Sequence, residues 1–72
     1  MSTVDTVKLL LADHVELPAD DEAPLELESL ILVMVAEELE SRFGLRVGAR
    51  DLVPENFGSV ARIARFVESR KC

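Results

Sequence analysis

Residues 29–44 read Ser-Leu-Ile-Leu-Val-Met-Val-Ala-Glu-Glu-Leu-Glu-Ser-Arg-Phe-Gly, and the predicted fold is built around this helical segment. It holds no Gly or Pro before Gly44, a residue type that often ends a helix. We therefore predict the longest α-helix over residues 29–43. Its residues 30–36 are all apolar, which is too short a run to span a membrane and too continuous for a helix with one buried face.

The predicted helix consequently has two apolar faces. At about 100° per residue, one face combines residues that we expect in the core: Leu32, Val35, Ala36, Leu39 and Phe43. Leu30, Val33 and Met34 fall on the opposite face, which becomes acidic further on at Glu37, Glu38 and Glu40. Such a face is typical of a surface that docks a partner, although another helix of the fold is an alternative cover for it.

Three other segments carry helical signals. Apolar residues recur at helical spacing over residues 3–14, with Ser2 or Thr3 as a cap, and again over residues 59–70, with Ser59 as a cap. A short helix is predicted over residues 49–53, and the proline-containing residues 15–28 are predicted to form a long loop. Because no stretch alternates with a period of two, we predict an all-α fold, a small bundle of three main helices plus one short helix.

Composition narrows the function classes. The 72 residues fit one small domain, and with three Phe, no Tyr and no Trp its core is thin, which disfavours an enzyme with a deep pocket. The single Cys (Cys72, expected to be a frayed terminal thiol) and single His (His14) cannot form a disulfide or a typical zinc site, so we expect no metal. No signal peptide is visible, and we expect a cytoplasmic monomer.

Charge is distributed unevenly. The chain has 14 acidic and 8 basic side chains and a net charge of -6. Residues 1–40 hold 11 acidic and 1 basic of these (-10) and residues 41–72 hold 3 and 7 (+4). The negative excess argues against nucleic acid or anionic membrane as a partner and favours proteins with basic patches. Attraction between the two halves of the fold is the alternative use of this asymmetry.

Ser29 lies where the acidic loop meets the start of the longest helix. A serine there often caps the helix, and a helix amino terminus also favours an attached phosphate through its free N–H groups and its dipole. His14 is in a different helix and no catalytic base can be placed beside Ser29, so we expect no catalytic residue. A helix cap is the usual role of such a serine; as a chemical site, Ser29 would be modified by another enzyme and would not itself catalyse a reaction.

The chain resembles the acyl carrier protein family at three places. Leu27-Glu28-Ser29-Leu30 stands where that family has Asp-Ser-Leu around its modified serine, and residues 39–47, Leu-Glu-Ser-Arg-Phe-Gly-Leu-Arg-Val, are similar to its pattern after the second helix. Residues 54–63, Pro-Glu-Asn-Phe-Gly-Ser-Val-Ala-Arg-Ile, resemble carriers of polyketide and related pathways. The resemblance covers nearly the whole chain.

This resemblance implies a carrier that is not an enzyme. Ser29 would hold a 4′-phosphopantetheine arm, transferred from coenzyme A by a phosphopantetheinyl transferase that uses magnesium, and the arm would hold an acyl group as a thioester. Glu28, Leu30, Val33, Met34, Glu37, Glu38 and Glu40 would then dock that transferase and acyl-loading and acyl-processing enzymes with basic patches, in a fatty-acid or polyketide-type pathway. A free-standing carrier is expected.

Two departures from the family pattern leave alternatives open. Glu28 replaces the aspartate before the serine, and Glu26 replaces a frequent glycine. The alternatives are a peptidyl or aminoacyl carrier, a carrier that is no longer loaded, and a helical docking protein in which Ser29 is only a helix cap.

Overall fold

The fold is a computed structural model that describes residues 2–71, and those residues contain no β-strand. The elements in chain order are α1 (Thr3–Ala12), α2 (Ser29–Phe43), a 3-10 helix (Ala49–Asp51), α3 (Pro54–Phe57) and α4 (Val60–Arg70). The predicted all-α class, a small helical bundle, is confirmed. Cys72, for which we predicted a frayed thiol, lies outside the described residues.

The predicted bounds of α2 agree with the structure. Gly44 has φ 68°, a left-handed conformation that glycine adopts without a steric penalty, and its N–H donates to the Glu40 carbonyl at 2.9 Å. Ser2 caps α1 by accepting from Asp5 N–H, and Ser59 caps α4 by accepting from Arg62 N–H, both at 3.1 Å. Glycine and serine thus set these bounds as expected.

Two other predicted bounds are wrong. α1 ends at Ala12 rather than His14, because the N–H groups of His14 and Val15 both turn back to the Leu11 carbonyl. The helix predicted over residues 49–53 is a 3-10 helix that ends at Asp51. It is followed by the unpredicted α3, which begins at Pro54 because the fixed φ of proline suits a first helical position.

The core lies between α1, α2 and α4. Packing of α4 against α1 and α3, and of α1 against α2, surrounds a cluster of buried side chains: Val7, Leu10, Leu11, Val35, Leu39, Leu45, Phe57, Val60, Ile63, Phe66 and Val67. The rings of Phe57 and Phe66 pack with centroids 5.3 Å apart. The core face predicted for α2 is confirmed, with Leu32 and Phe43 half-buried at its edge.

The loop before Ser29 is held against other helices of the bundle by hydrogen bonds and an ion pair. Leu25 N–H donates to the Gly58 carbonyl at 2.8 Å, and Ala61 N–H donates to the Asp21 carbonyl at 2.9 Å. Lys8 Nζ lies 2.8 Å from an Asp21 carboxylate oxygen. These bonds hold the acidic loop against α1, α3 and α4 and so fix the path by which the chain enters α2.

Attraction between the acidic and basic halves contributes little to the fold. Of the ion pairs within residues 2–71, only Glu22 with Arg65 joins the two halves, at 3.6 Å and with both side chains well exposed. An exposed pair of this kind stabilises a fold by about 1 kcal/mol or less. The charge asymmetry is therefore used little in ion pairs between the two halves of the described chain.

Candidate functional site

Ser29 is the first residue of α2, and its side chain is exposed. Glu28 occupies the N-cap position with extended backbone (φ -64°, ψ 156°), and no side chain makes a capping hydrogen bond there. Within residues 2–71 the Ser29 hydroxyl has no hydrogen-bond partner. Ser29 is therefore not the capping residue of α2, and its hydroxyl makes no bond that the helix start requires.

The start of α2 provides a favourable setting for an anion on Ser29. The first hydrogen bond of the helix runs from Leu32 N–H to the Glu28 carbonyl at 2.8 Å. The N–H groups of residues 29–31 precede that bond and have no partner inside the helix. Together with the positive end of the helix dipole they favour a phosphate ester at this position. The exposed Glu26 and Glu28 carboxylates oppose it in part.

The second apolar face of α2 is uncovered. The exposed fractions of Leu30, Val33 and Met34 are 70%, 43% and 37%, so all three side chains reach solvent. We call these three residues the α2 patch. The alternative in which another helix covers this face is wrong.

The acidic residues beyond the α2 patch differ in their surroundings. Glu37 is exposed and has no partner within residues 2–71. Glu38 Oε2 lies 2.6 Å from His14 Nε2, and Glu40 Oε2 accepts a hydrogen bond from Val47 N–H at 2.7 Å. Periodicity placed all three in one acidic set, but two of them also hold the fold together. Helical periodicity in the sequence did not distinguish these two carboxylates from Glu37.

A small apolar cleft, which the sequence did not reveal, opens beside the start of α2. Its volume is about 150 Å³ and its lining comes from the loop, α2 and α3: Leu25, Leu27, Leu32, Leu52, Val53, Pro54, Phe57 and Gly58. Leu32 lies one helical turn after Ser29 and Leu27 lies two residues before it. Residues on both sides of Ser29 therefore contribute to the cleft.

Nothing in the described part of the chain resembles a metal centre or a membrane span. Among residues 2–71 no group of three or more His, Cys, Asp or Glu side chains is arranged to hold a metal ion. None of the helices described there is long and apolar enough to cross a bilayer. No protein-family model matches the chain, and searches of curated proteins and of solved structures gave no match either.

Proposed function

We propose that this chain is an acyl carrier that holds its cargo as a thioester on a 4′-phosphopantetheine arm attached to Ser29. The observation that carries the proposal is the exposed Ser29 hydroxyl, which stands at the first position of α2 and makes no hydrogen bond within residues 2–71. A hydroxyl with a structural role would be bonded or buried. This one is accessible to a transferase.

In loading, this chain would only present the Ser29 hydroxyl to the transferase and stabilise the attached phosphate. The transferase would join Ser29 Oγ to the phosphorus that carries the pantetheine group of coenzyme A. The pyrophosphate P–O bond would break, adenosine 3′,5′-bisphosphate would leave, and the Ser29 proton would pass to a base of that enzyme. The free N–H groups of the first turn of α2 then stabilise the phosphodiester charge. No base from this chain is required, since the only imidazole, His14, is engaged by Glu38.

Docking is assigned to the α2 patch together with Glu28 and Glu37. The patch supplies short-range apolar contact, while the exposed carboxylates attract basic partner surfaces and speed their encounter. A small interface of this kind permits rapid release, because affinity changes act mainly through the dissociation rate. A carrier that visits a transferase and then several acyl-processing enzymes requires such release.

The cleft beside α2 favours an acyl cargo over an aminoacyl or peptidyl one. Its lining is apolar, and its volume of about 150 Å³ admits only a few carbon atoms. A charged amino group placed there would lose its hydration without gaining a partner. The cleft therefore suits the first carbons of an alkyl chain.

A second candidate function is non-covalent docking without loading. The observation that favours it is the α2 patch itself, which exposes three large apolar side chains whether or not Ser29 is modified. In that case the Glu28 departure would reflect a lost loading site.

A panel of variants separates these functions. Wild type, Ser29→Ala, Ser41→Ala and Glu28→Asp are incubated with coenzyme A, magnesium and a broad-specificity phosphopantetheinyl transferase, and their intact masses are measured. The carrier proposal expects one added phosphopantetheine on all variants except Ser29→Ala. Loading of Glu28→Asp alone would identify a carrier that has lost loading, and loading of none would leave the docking function.

A further inference from the structure

A groove on the other flank of α2 carries recognition groups that the carrier function does not use. It lies between the carboxyl-terminal halves of α1 and α2, has a volume of about 690 Å³, and is lined by Leu9, Leu10, Asp13, Glu38, Ser41 and Arg42. We call it the α1–α2 groove. Leu9 is the only large apolar side chain outside α2 that is strongly exposed among residues 2–71, at 53%.

The charges that line the groove are not paired with each other. Asp13 and Arg42 are both exposed, and neither side chain makes an ion pair or hydrogen bond within residues 2–71. Glu38 adds a second carboxylate, whose Oε2 is held by His14. One groove therefore presents an apolar contact, a free carboxylate and a free guanidinium, and each of these would gain from a partner group placed against it.

We propose that the α1–α2 groove is a second protein-docking surface. Its occupant is a segment of a partner protein that places an apolar side chain on Leu9, a Lys or Arg against Asp13 and an Asp or Glu against Arg42. This surface goes beyond the carrier function, since it neither includes Ser29 nor requires the arm.

Charge complementarity selects a protein segment as the occupant. Nucleic acid and anionic membrane are disfavoured because the chain as a whole carries a net charge of -6. A peptide segment can offer both signs of charge within one or two turns, which matches carboxylate and guanidinium groups on a single groove.

The groove is adjacent to the α2 patch but separable from it. Glu38, on the wall of the groove, lies four residues beyond Met34 but eight beyond Leu30, which corresponds to about 6 and about 12 Å along the helix axis. Variants in one surface can therefore leave the other intact. This separation also distinguishes failure of the second surface from failure of the carrier proposal.

The test is a selection from a phage library of random peptides of about 12 residues, a length that spans such a groove. The unmodified full-length Ser29→Ala chain is the bait, and the Leu9→Asp variant of that chain is used for counter-selection. Binding of enriched peptides is then measured by fluorescence anisotropy against Leu9→Asp, Leu9→Ser, Arg42→Glu and Asp13→Lys. Arg62→Glu, at an exposed arginine of α4, and Leu30→Asp, in the α2 patch, are the matched controls. Circular dichroism checks that each variant is folded.

We expect enriched peptides with an apolar residue flanked by a basic and an acidic residue. Their Kd should rise roughly tenfold or more in the groove variants and change by less than about twofold in the controls. Exchanging the acidic peptide residue for Lys should restore binding to Arg42→Glu. Absence of enrichment over Leu9→Asp, or equal losses in Leu30→Asp and Leu9→Ser, would overturn the proposal.

Discussion

The imidazole Nε2 of His14 lies 2.6 Å from Glu38 Oε2 and thereby joins the turn after α1 to the middle of α2. Only 10% of the His14 side chain is exposed. On the opposite side of α2, Glu40 accepts a hydrogen bond from Val47 N–H. The acidic side chains of α2 therefore divide into two that hold the fold and one, Glu37, that is free.

This division predicts different effects for two matched substitutions. Glu40→Ala should lower the free energy of unfolding by about 1–3 kcal/mol, because it leaves the half-buried Val47 N–H without its charged acceptor. Glu37→Ala should change it by less than about 0.5 kcal/mol, since that side chain is exposed and makes no hydrogen bond or ion pair within residues 2–71. Urea unfolding followed by circular dichroism measures both values. Equal destabilisation by the two variants would contradict the division.

The contact between Arg70 and Asp51 predicts a loss of stability in acid. Arg70 donates to both carboxylate oxygens, at 2.6 and 2.9 Å, and these bonds, with a further one from Gly48 N–H, lower the pKa of Asp51 from 3.8. A carboxylate whose pKa is lower in the folded than in the unfolded state stabilises the fold at pH values above the unfolded-state pKa. This contribution is lost as the pH falls below about 4 and through the folded-state pKa. The pKa of Glu68 is also lowered, by hydrogen bonds first from the Thr3 hydroxyl and then from Lys71. The contribution of Glu68 to stability is therefore also lost in acid.

Denaturant titrations from pH 5 to pH 2 provide the measurement. Asp51→Asn should be less stable than wild type at pH 6 and should show a shallower fall in acid, because the variant has one fewer group that takes up a proton on unfolding. Parallel stability curves for the two proteins would show that the Asp51 carboxylate is not held by Arg70.

Alanine substitutions at two glycines in the second half of the chain test how closely the chain packs at each position. A Cβ at Gly58 would lie 2.5 Å from the Pro54 carbonyl oxygen, whereas a Cβ at Gly48 would meet only Asp51 Oδ2 at 3.7 Å. Gly58→Ala should therefore cost about 1–3 kcal/mol, since α3 must shift to relieve the clash. Gly48→Ala should be neutral or stabilising by up to about 1 kcal/mol, because it reduces the freedom of the unfolded chain. Thermal unfolding of both variants tests this, and a smaller loss for Gly58→Ala than for Gly48→Ala would contradict the packing.

The α2 patch predicts a separation of loading from stability. Leu30→Asp should slow phosphopantetheine transfer by roughly tenfold or more through lost apolar contact with the transferase, while circular dichroism and the unfolding midpoint stay close to wild type. Leu39→Ala, at a fully buried position of the same helix, should instead cost about 2–5 kcal/mol of stability. An unchanged loading rate in Leu30→Asp would remove the patch from the docking surface.

Local signals in the sequence were sufficient for much of the fold. Gly44 marks the end of α2 because its left-handed conformation is a property of that residue type, and the helical period separates buried Leu39 from exposed Leu30. The short helix predicted over residues 49–53 stops before Pro54, whose ring is equally suited to begin α3. A four-residue helix has too short a pattern for periodicity to reveal it.

The parts of the candidate site that could not be predicted from the sequence depend on contacts between residues far apart in the chain. The bonds from Glu38 to His14 and from Glu40 to Val47 join side chains of α2 to other segments, and no helical period distinguishes such carboxylates from the free Glu37. Ser29 was considered as the capping residue, but the structure has Glu28 at that position. The reason is related, since residue types fix a helix start only to within a residue or two. That difference of one residue leaves the Ser29 hydroxyl unbonded.

We propose that the free hydroxyl of Ser29 accepts phosphopantetheine, and fragmentation mass spectrometry of the chain after treatment with coenzyme A, magnesium and the transferase tests this. We expect a single added group located on Ser29, present in Ser41→Ala and absent from Ser29→Ala, with the same helical circular-dichroism spectrum in all three proteins. An added group on any other residue, or none on either wild type or Glu28→Asp, would contradict it.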